Sequence, residues 1–297
     1  MGKGFDRETD TGYHTLKIRN EDDSEDFSGE PITFGKRRMN QDISELLQAW
    51  EFDPEANVRK IRGDDGVEKM QVRVDQGAFQ GILQVNLDGR PDGRRPHGMD
   101  YALDYFRSLL EQSGYEGEKR EFSLDKEACQ ELFDEGSRVY GRYIFLLQLK
   151  DYDRVIRDTE RNMELFRFVN TYGEEEEDRL NLEKWWPYIL RIHAVAGAMK
   201  ATEEEDFDGA LAIVEEGREQ IKNLSEVEAE EFFVELERSQ QALDELTEEL
   251  RSKKPLSQRE ILEQRLQEAI DSEEFERAAV IRDELKKLEE SDPASSG

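Results

Sequence analysis

The sequence predicts an α+β protein dominated by helices, with a small antiparallel sheet first and a helical bundle after it. Charged residues make up 38 % of the 297 residues, against roughly 25 % in an average globular protein, while hydrophobic residues still supply 36 %. Apolar residues alternate with polar ones only between about residues 58 and 87. From about residue 123 they recur at the three- and four-residue spacing of amphipathic helices. These three observations favour helices over a thick β core.

The N-terminal part is predicted to contain a flexible arm and a small domain. Residues 1–35 are polar, acidic and poor in aliphatic side chains, which is typical of a flexible arm. A small α+β domain is predicted at residues 36–116. It begins with a short helix near Asp42 and continues with a three-stranded sheet. The apolar residues that indicate the strands are Val58 and Ile61 in the first, Met70, Val72 and Val74 in the second, and Leu83, Val85 and Leu87 in the third. A helix with apolar residues from 102 to 110 follows and is expected to end at Gly114.

Residues 117–254 predict a helical, repeat-like domain. An acid–aromatic–acid phrase recurs in "KDYDRVIRDTERN", "EDFDGALAIVEEG" and "EEFERAAVIRDEL", and its aromatics are Tyr152, Phe207 and Phe275. Each aromatic is expected at the corner of a helical hairpin, where a large ring fills the gap between two helix ends. The first two hairpins resemble tetratricopeptide-type (TPR-like) pairs, although the spacing is irregular and the usual repeat residues are missing.

A coiled-coil-like helix is predicted before Pro255. Ser225 and Glu228 have the spacing of a capping box, which places the start of the helix near residue 226. The helix then carries a seam of about three heptads, formed by Ala229, Phe232, Leu236, Ser239, Leu243, Leu246 and Leu250.

Residues 255–291 predict a C-terminal helical hairpin, followed by a tail at 292–297. Ser257 and Glu260 form a capping box at its start. Apolar residues of the first helix are Ile261, Leu262, Leu266, Ala269 and Ile270, and those of the second are Phe275, Ala278, Ala279, Ile281, Leu285 and Leu288. The two adjacent alanines remove bulk, so the helices can approach closely at the corner.

This hairpin resembles the UVR motif, the short helical hairpin found at the C-terminus of UvrB, inside UvrC, and in McsA-type regulators and some Clp ATPases. The residues that match the pattern are Leu262, Leu266, Ala269, Phe275, Ala278, Ala279, Arg282, Asp283 and Leu288. The resemblance implies protein–protein contact, because such a hairpin pairs with another copy in the same or a different protein. Residues 57–98 are similar to the N-terminal part of uncharacterised bacterial proteins that carry the same hairpin, and this likeness implies no activity.

The hairpin is the predicted partner-binding site, through Leu262, Leu266, Ala269, Phe275, Ala278, Ala279, Arg282 and Leu285. A two-helix hairpin of this size cannot bury both apolar faces within itself and is marginal alone. Its partner is either another chain, including a second copy of the same chain, or the coiled-coil-like helix at 226–251. In the first case Phe275 is expected to be the anchor, because aromatic residues dominate contact energy at such surfaces.

A basic loop, "DGRPDGRRPHG" at residues 88–98, is the second candidate site. Its cationic residues are Arg90, Arg94, Arg95 and His97. A stiff loop of this kind can bind a carboxylate or phosphate through arginine forks, or belong to an active site. Alternatively, it is a structured turn whose arginines pair with nearby acids.

Other classes of function are disfavoured by composition. The formal net charge of −30 should repel phosphate backbones, so direct nucleic-acid binding is not expected. The chain has one cysteine, no two of its three histidines stand at metal-ligand spacing, and no G-x-x-x-x-G-K-[ST] motif is present. We therefore expect no cofactor, no metal site and no catalytic residues. No apolar run approaches the roughly 20 residues that span a bilayer, so we expect no membrane association and a cytoplasmic location.

The sequence thus predicts a non-enzymatic adaptor or regulatory subunit that acts through protein–protein contact and is a candidate homodimer. The alternative is an accessory factor of excision repair or another DNA-associated process, recruited through the hairpin. A third reading is an enzyme or small-anion sensor that uses the basic loop.

Overall fold

The computed structural model describes residues 42–114 and 122–291, without the side chains of 289–291. The predicted flexible arm at 1–35 and the tail at 292–297 lie outside the described residues. The described residues divide into two units, one that ends at Ala49 and one that begins at Trp50. In the first unit, helix α1 spans Ser44–Ala49, and the Asp42 carboxylate accepts a hydrogen bond from the Ser44 amide just before it.

The second unit begins with a three-stranded antiparallel sheet in the order β1–β2–β3, as the alternating pattern predicts. The strands span Val58–Arg62, Glu68–Gln76 and Phe79–Asn86. Glycines at positive φ, Gly66 and Gly77, form the two tight turns between them. Because β2 pairs with both neighbours, its Met70 and Val72 lie in the middle of the sheet and are buried.

Nine helices follow within the described residues. They are α2 (Ala102–Ser113), α3 (Lys126–Gln148), α4 (Tyr152–Tyr172), α5 (Glu176–Glu183), α6 (Trp186–Glu203), α7 (Phe207–Lys222), α8 (Glu230–Lys253), α9 (Gln258–Asp271) and α10 (Phe275–Ser291). Helix α2 ends at Gly114, as predicted. The mostly helical α+β class, with an N-terminal sheet and a C-terminal hairpin, is confirmed.

The sheet and the helices share their hydrophobic core. Met70 and Leu87 pack in one cluster with Val139 and Tyr143 of α3 and with Val155 of α4. Apolar residues of α2 belong to a second, larger cluster, to which α3 to α8 also contribute. The residues from 50 to 114 are therefore held against the bundle by apolar packing as well as by polar contacts.

The bundle is built from helices that pack in sequence order. α3 packs on α4, α4 on α6, and α6 on both α7 and α8. The seam predicted on α8 faces this interior, since its residues Phe232, Ser239, Leu243 and Leu250 are buried. The coiled-coil-like pattern is thus satisfied within the chain.

The predicted capping box at Ser225 and Glu228 is wrong. α8 begins at Glu230, its N-cap is Ala229, and no side chain caps it. The Ala229 amide donates to the Val227 carbonyl in a turn, and Val227 is buried. Burial of this apolar residue in a non-helical segment delays the start of the helix.

Candidate partner-binding site

The hairpin of α9 and α10 has a small hydrophobic core of its own. The capping box at its start is present, with both the Ser257 and the Glu260 side chains bonded to backbone amides. Its buried core consists of Leu262, Ala269, Ala278 and Ile281, with Leu266 and Leu285 partly buried against them. All six residues belong to the hairpin. No residue of α8 joins this cluster.

The eight predicted binding residues lie in two places. Five of them, Leu262, Leu266, Ala269, Ala278 and Leu285, face the other helix of the hairpin. The remaining three, Phe275, Ala279 and Arg282, are exposed. Their spacing of four and then three residues puts them on one face of α10. This second group forms an outward face that is available to another molecule.

Phe275 is the most exposed large apolar side chain of the hairpin, at 68 %. Ile270, which is not among the predicted binding residues, is 45 % exposed at the end of α9, on the other side of the same turn. Spacing alone did not predict its exposure, because Ile270 lies four residues after Leu266, which is partly buried against the hairpin core.

The corner that carries Phe275 occurs three times in the chain with the same backbone geometry. Lys150, Glu205 and Glu273 each stand two residues before the aromatic and have φ values of 56°, 62° and 58°. At each corner the next amide donates to the carbonyl five residues earlier, over 2.8–3.0 Å. This left-handed residue with its backward hydrogen bond is a Schellman-type helix end. The repeated sequence phrase therefore encodes one repeated turn.

The surroundings of the three aromatics differ. Tyr152 is 5 % exposed and lies in a cluster with Ala196 of α6. Phe207 is partly buried and packs against the larger cluster, to which Leu250 of α8 belongs. The first two rings are thus buried or partly buried in the clusters of the bundle, whereas within the described residues Phe275 belongs to no hydrophobic cluster.

Three of the four cationic side chains of the basic loop lie against acidic side chains of the same chain. The Arg90 Nε atom lies 3.0 Å from Asp92 Oδ1, and its Nη1 lies 3.4 Å from the buried Glu135. Arg95 pairs with Asp100 at 3.0 Å. The His97 Nε2 atom is 3.0 Å from Glu131, while its ring stacks on Tyr105 with centroids 3.9 Å apart. Arg94 is exposed and makes no ion pair within the described part of the chain.

Arginines of α3 and α4 also hold the basic loop against the bundle. Arg142 of α3 donates to the carbonyls of Asn86 and Gly89, at 3.0 and 2.6 Å. Arg154 and Arg157 of α4 both contact the Asp88 carboxylate and hold its pKa well below the usual range. The start of the loop is thus tied to both α3 and α4.

Glu135 of α3 connects this region to α2. Its carboxylate accepts hydrogen bonds from the Ala102 and Leu103 amides at 2.7 and 3.2 Å, so it caps the N-terminus of α2 from another helix. Burial raises the pKa of this carboxyl. The geometry assigns Glu135 a positioning role in the fold.

The described residues also bear on metal binding and on membrane insertion. Within residues 42–114 and 122–291, no group of three or more His, Cys, Asp or Glu side chains is placed to hold a metal ion. In the same residues, no helix is both long enough and apolar enough to cross a bilayer.

A protein-family model, the UvrB/uvrC motif, matches residues 260–291. These residues include most of α9 and all of α10. Comparisons with curated proteins and with solved structures give no significant match to the chain. The hairpin of α9 and α10 is therefore a UVR motif.

Proposed function

We propose that this chain is a non-enzymatic adaptor or regulatory subunit that binds another protein molecule through its UVR hairpin. The observation that carries the proposal is the exposure of Phe275. The ring is 68 % exposed, whereas its two counterparts, Tyr152 and Phe207, are buried or partly buried in the hydrophobic clusters of the bundle. Covering a phenylalanine ring contributes about 1.5–3 kcal/mol, which is a substantial share of a moderate protein–protein affinity.

The residues that form the hairpin core, and those that bury the seam of α8, favour a partner in another molecule over α8. The hairpin core contains hairpin residues alone. The apolar seam of α8 is already buried against α6 and α7. The helix that the sequence offers as an internal partner is therefore engaged elsewhere, and the outward face of α10 stays in water.

The contacts of the basic loop, residues 88–98, support a structural role for it. Arg90, Arg95 and His97 each lie against a carboxylate of the chain, so an incoming anion would have to displace an existing partner. The adaptor proposal accordingly includes no catalytic step and no cofactor. We place its action in the cytoplasm, where the single buried thiol stays reduced.

The second candidate function is that of an accessory factor in excision repair or another DNA-associated process. The match to a motif shared by UvrB and UvrC favours it. With a net charge of −30, such a factor would reach DNA through its protein partner and not through its own contacts. Both candidates use the same face of the hairpin.

Site-specific photocrosslinking tests the adaptor proposal. A benzophenone amino acid is placed at Phe275, or at Val280 as a matched control. Val280 is also exposed on α10, at 58 %, but lies on the opposite face from Phe275. Both proteins are irradiated in extract of the cells from which the chain comes, and the adducts are identified by mass spectrometry. We expect one defined adduct from position 275 and none from 280. Equal labelling from both positions, or none from 275, contradicts the proposal.

A further inference from the structure

Strand β3, at one edge of the sheet, carries no charged side chain. Within the described residues it pairs with β2 alone, so one side of its backbone is open. Residues 76–87, which include the whole strand, contain no Asp, Glu, Lys or Arg and form the longest uncharged stretch of the sequence. Such neutrality is uncommon at an open edge, because natural proteins place charges there to prevent pairing with other chains.

The opposite edge of the sheet has the usual charges. β1 carries Arg59, Lys60 and Arg62 among its five residues. Lys60 lies 2.6 Å from Asp151, and Arg62 lies 3.4 Å from Glu68. A strand added at β1 would meet these cations and their partners, whereas one added at β3 would meet none. The sheet therefore has one charged edge and one neutral edge that can accept another strand.

β3 also exposes apolar side chains beside its open edge. Leu83 stands opposite buried Val72, so it lies on the sheet face that carries Met70 in the shared core. Phe79, four residues earlier in the strand, lies on the same face. Phe79 is 80 % exposed, more than any other large apolar side chain of the described residues, and Leu83 is 55 % exposed. A further strand at this edge would cover both side chains.

Alternate residues of β3 point their backbone N–H and C=O groups away from β2. The Leu87 amide donates to the Glu68 carbonyl of β2 over 3.0 Å. The Asn86 amide, one residue earlier, donates instead to the Pro91 carbonyl in the loop that follows β3, over 2.9 Å. By this alternation, the remaining residues of β3 that direct their backbone groups to the open side are Gln80, Ile82 and Gln84.

We propose that β3 pairs antiparallel with β3 of a second copy of this chain, about a twofold axis at Ile82. Ile82 then faces the partner's Ile82, and Gln80 faces the partner's Gln84. All three residues direct their backbone groups to the open side, so each pair can exchange two hydrogen bonds. The two three-stranded sheets become one continuous sheet. This inference goes beyond the proposed function, because it concerns a different surface from the hairpin.

The side chains of β3 complement one another in the same register. Leu83 faces the partner's Gly81, where an added Cβ atom would have nothing within 4 Å, so the leucine has room. Phe79 faces the partner's Val85, and the twofold axis makes each contact occur twice. An unrelated extended peptide would match this order of large and small residues only by coincidence. Two chains of net charge −30 also meet here where the repulsion between them is weakest.

Two double variants of the full chain test this register. Gln80→Lys with Gln84→Lys places like charges opposite each other twice, whereas Gln80→Lys with Gln84→Glu places opposite charges there. The first adds positive charge to an acidic chain and lowers the general repulsion between copies, so a loss of affinity must arise at the strand itself. Gln112→Lys, at an exposed site of α2, is the control for an added lysine. Light scattering after size exclusion measures the mass over a concentration series, and thermal unfolding verifies that each variant is folded.

We expect a wild-type dimer whose dissociation constant rises about tenfold in the lysine–lysine variant. The lysine–glutamate variant and Gln112→Lys should stay close to wild type. A wild type that is monomeric throughout the series overturns the inference. A dimer that both double variants leave intact also overturns it, because the copies then associate through another surface, such as the hairpin. Equal weakening by both double variants excludes the register and overturns it as well. The photocrosslinking test of the adaptor proposal is independent of all these outcomes.

Discussion

Arg142 of α3 and Asp158 of α4 form a two-pronged ion pair in the interior of the bundle. The Arg142 Nε and Nη2 atoms donate to the two carboxylate oxygens of Asp158 over 2.7 and 2.8 Å, and both side chains are at most 1 % exposed. The third nitrogen of the guanidinium donates to the carbonyls of Asn86 and Gly89. One buried side chain therefore joins two helices and the connection that follows β3.

Removing the charge of Asp158 should destabilise the protein strongly. The change Asp158→Asn leaves the Arg142 guanidinium buried without its counter-ion, for which the expected cost is about 3–5 kcal/mol of unfolding free energy. Urea denaturation followed by circular dichroism measures the loss.

The matched control is Glu164→Gln, also on α4, whose partner Arg107 lies 3.2 Å away on the surface. Both side chains of that pair are more than 40 % exposed, so the expected loss is less than about 1 kcal/mol. Equal losses in the two variants would mean that the buried pair exchanges readily with water.

Alanine substitution at two helical glycines should change the stability of the protein in opposite directions. A Cβ atom at Gly217 of α7 would lie 2.6 Å from the Ala194 Cβ atom of α6, so Gly217→Ala forces the helices apart. We expect it to cost about 1–3 kcal/mol. Gly141 of α3 has nothing within 4 Å of such an atom. There, Gly141→Ala should stabilise by about 0.5–1 kcal/mol through helix propensity. Thermal unfolding of both variants decides the matter, and a gain of stability at Gly217 contradicts the close packing of α6 on α7.

Local patterns predicted the sheet and the hairpin because both depend on residues close together in sequence. Alternation of Met70, Val72 and Val74 indicates strand β2, although Gln71 and Arg73 on its other face are buried as well. The Ser257–Glu260 capping box fixes where α9 begins. The same local rule failed at Ser225, where burial of Val227 outweighed the cap. The start of a helix is set by packing when the two compete.

The ion pairs could not be predicted in the same way. In a chain with 72 acids and 42 basic residues, each arginine has many candidate partners. The choice of Glu135 for Arg90 depends on how two distant segments meet. A usable signal existed for Arg142, which lies three residues after Val139 and four before Leu146 on the buried stripe of α3. A charge at such a position indicates a buried counter-ion.

Cys129 should react slowly with thiol reagents in the folded protein. Its side chain is buried near the start of α3, and burial raises the pKa of the thiol to about 11, from 9.0. At pH 8 this shift lowers the thiolate fraction about a hundredfold, and thiolate is the reactive form. Labelling with a disulfide reagent, with and without urea, measures the protection. Equal rates in the two conditions would show that this end of α3 opens readily.

The raised pKa of Cys129 also makes the stability of the protein depend on pH. Since the folded state holds the proton more tightly, raising the pH through 9.0 deprotonates the unfolded chain first and favours unfolding. The thiol's contribution to stability is therefore complete below pH 9 and declines between 9 and about 11. Cys129→Ala should remove this part of the pH dependence.

Replacing the equivalent aromatics at two corners should separate a folding role from a binding role. Tyr152→Ala removes a ring that is 5 % exposed, which should lower the unfolding free energy by about 3–5 kcal/mol. Phe275→Ala removes a ring that is 68 % exposed, so in the isolated chain the change should stay within about 0.5 kcal/mol. Urea denaturation is done at protein concentrations too low for self-association, so that partner contacts do not contribute. A large loss for Phe275→Ala under these conditions would mean that the ring is covered within its own chain, and the outward face of α10 would lose its anchor.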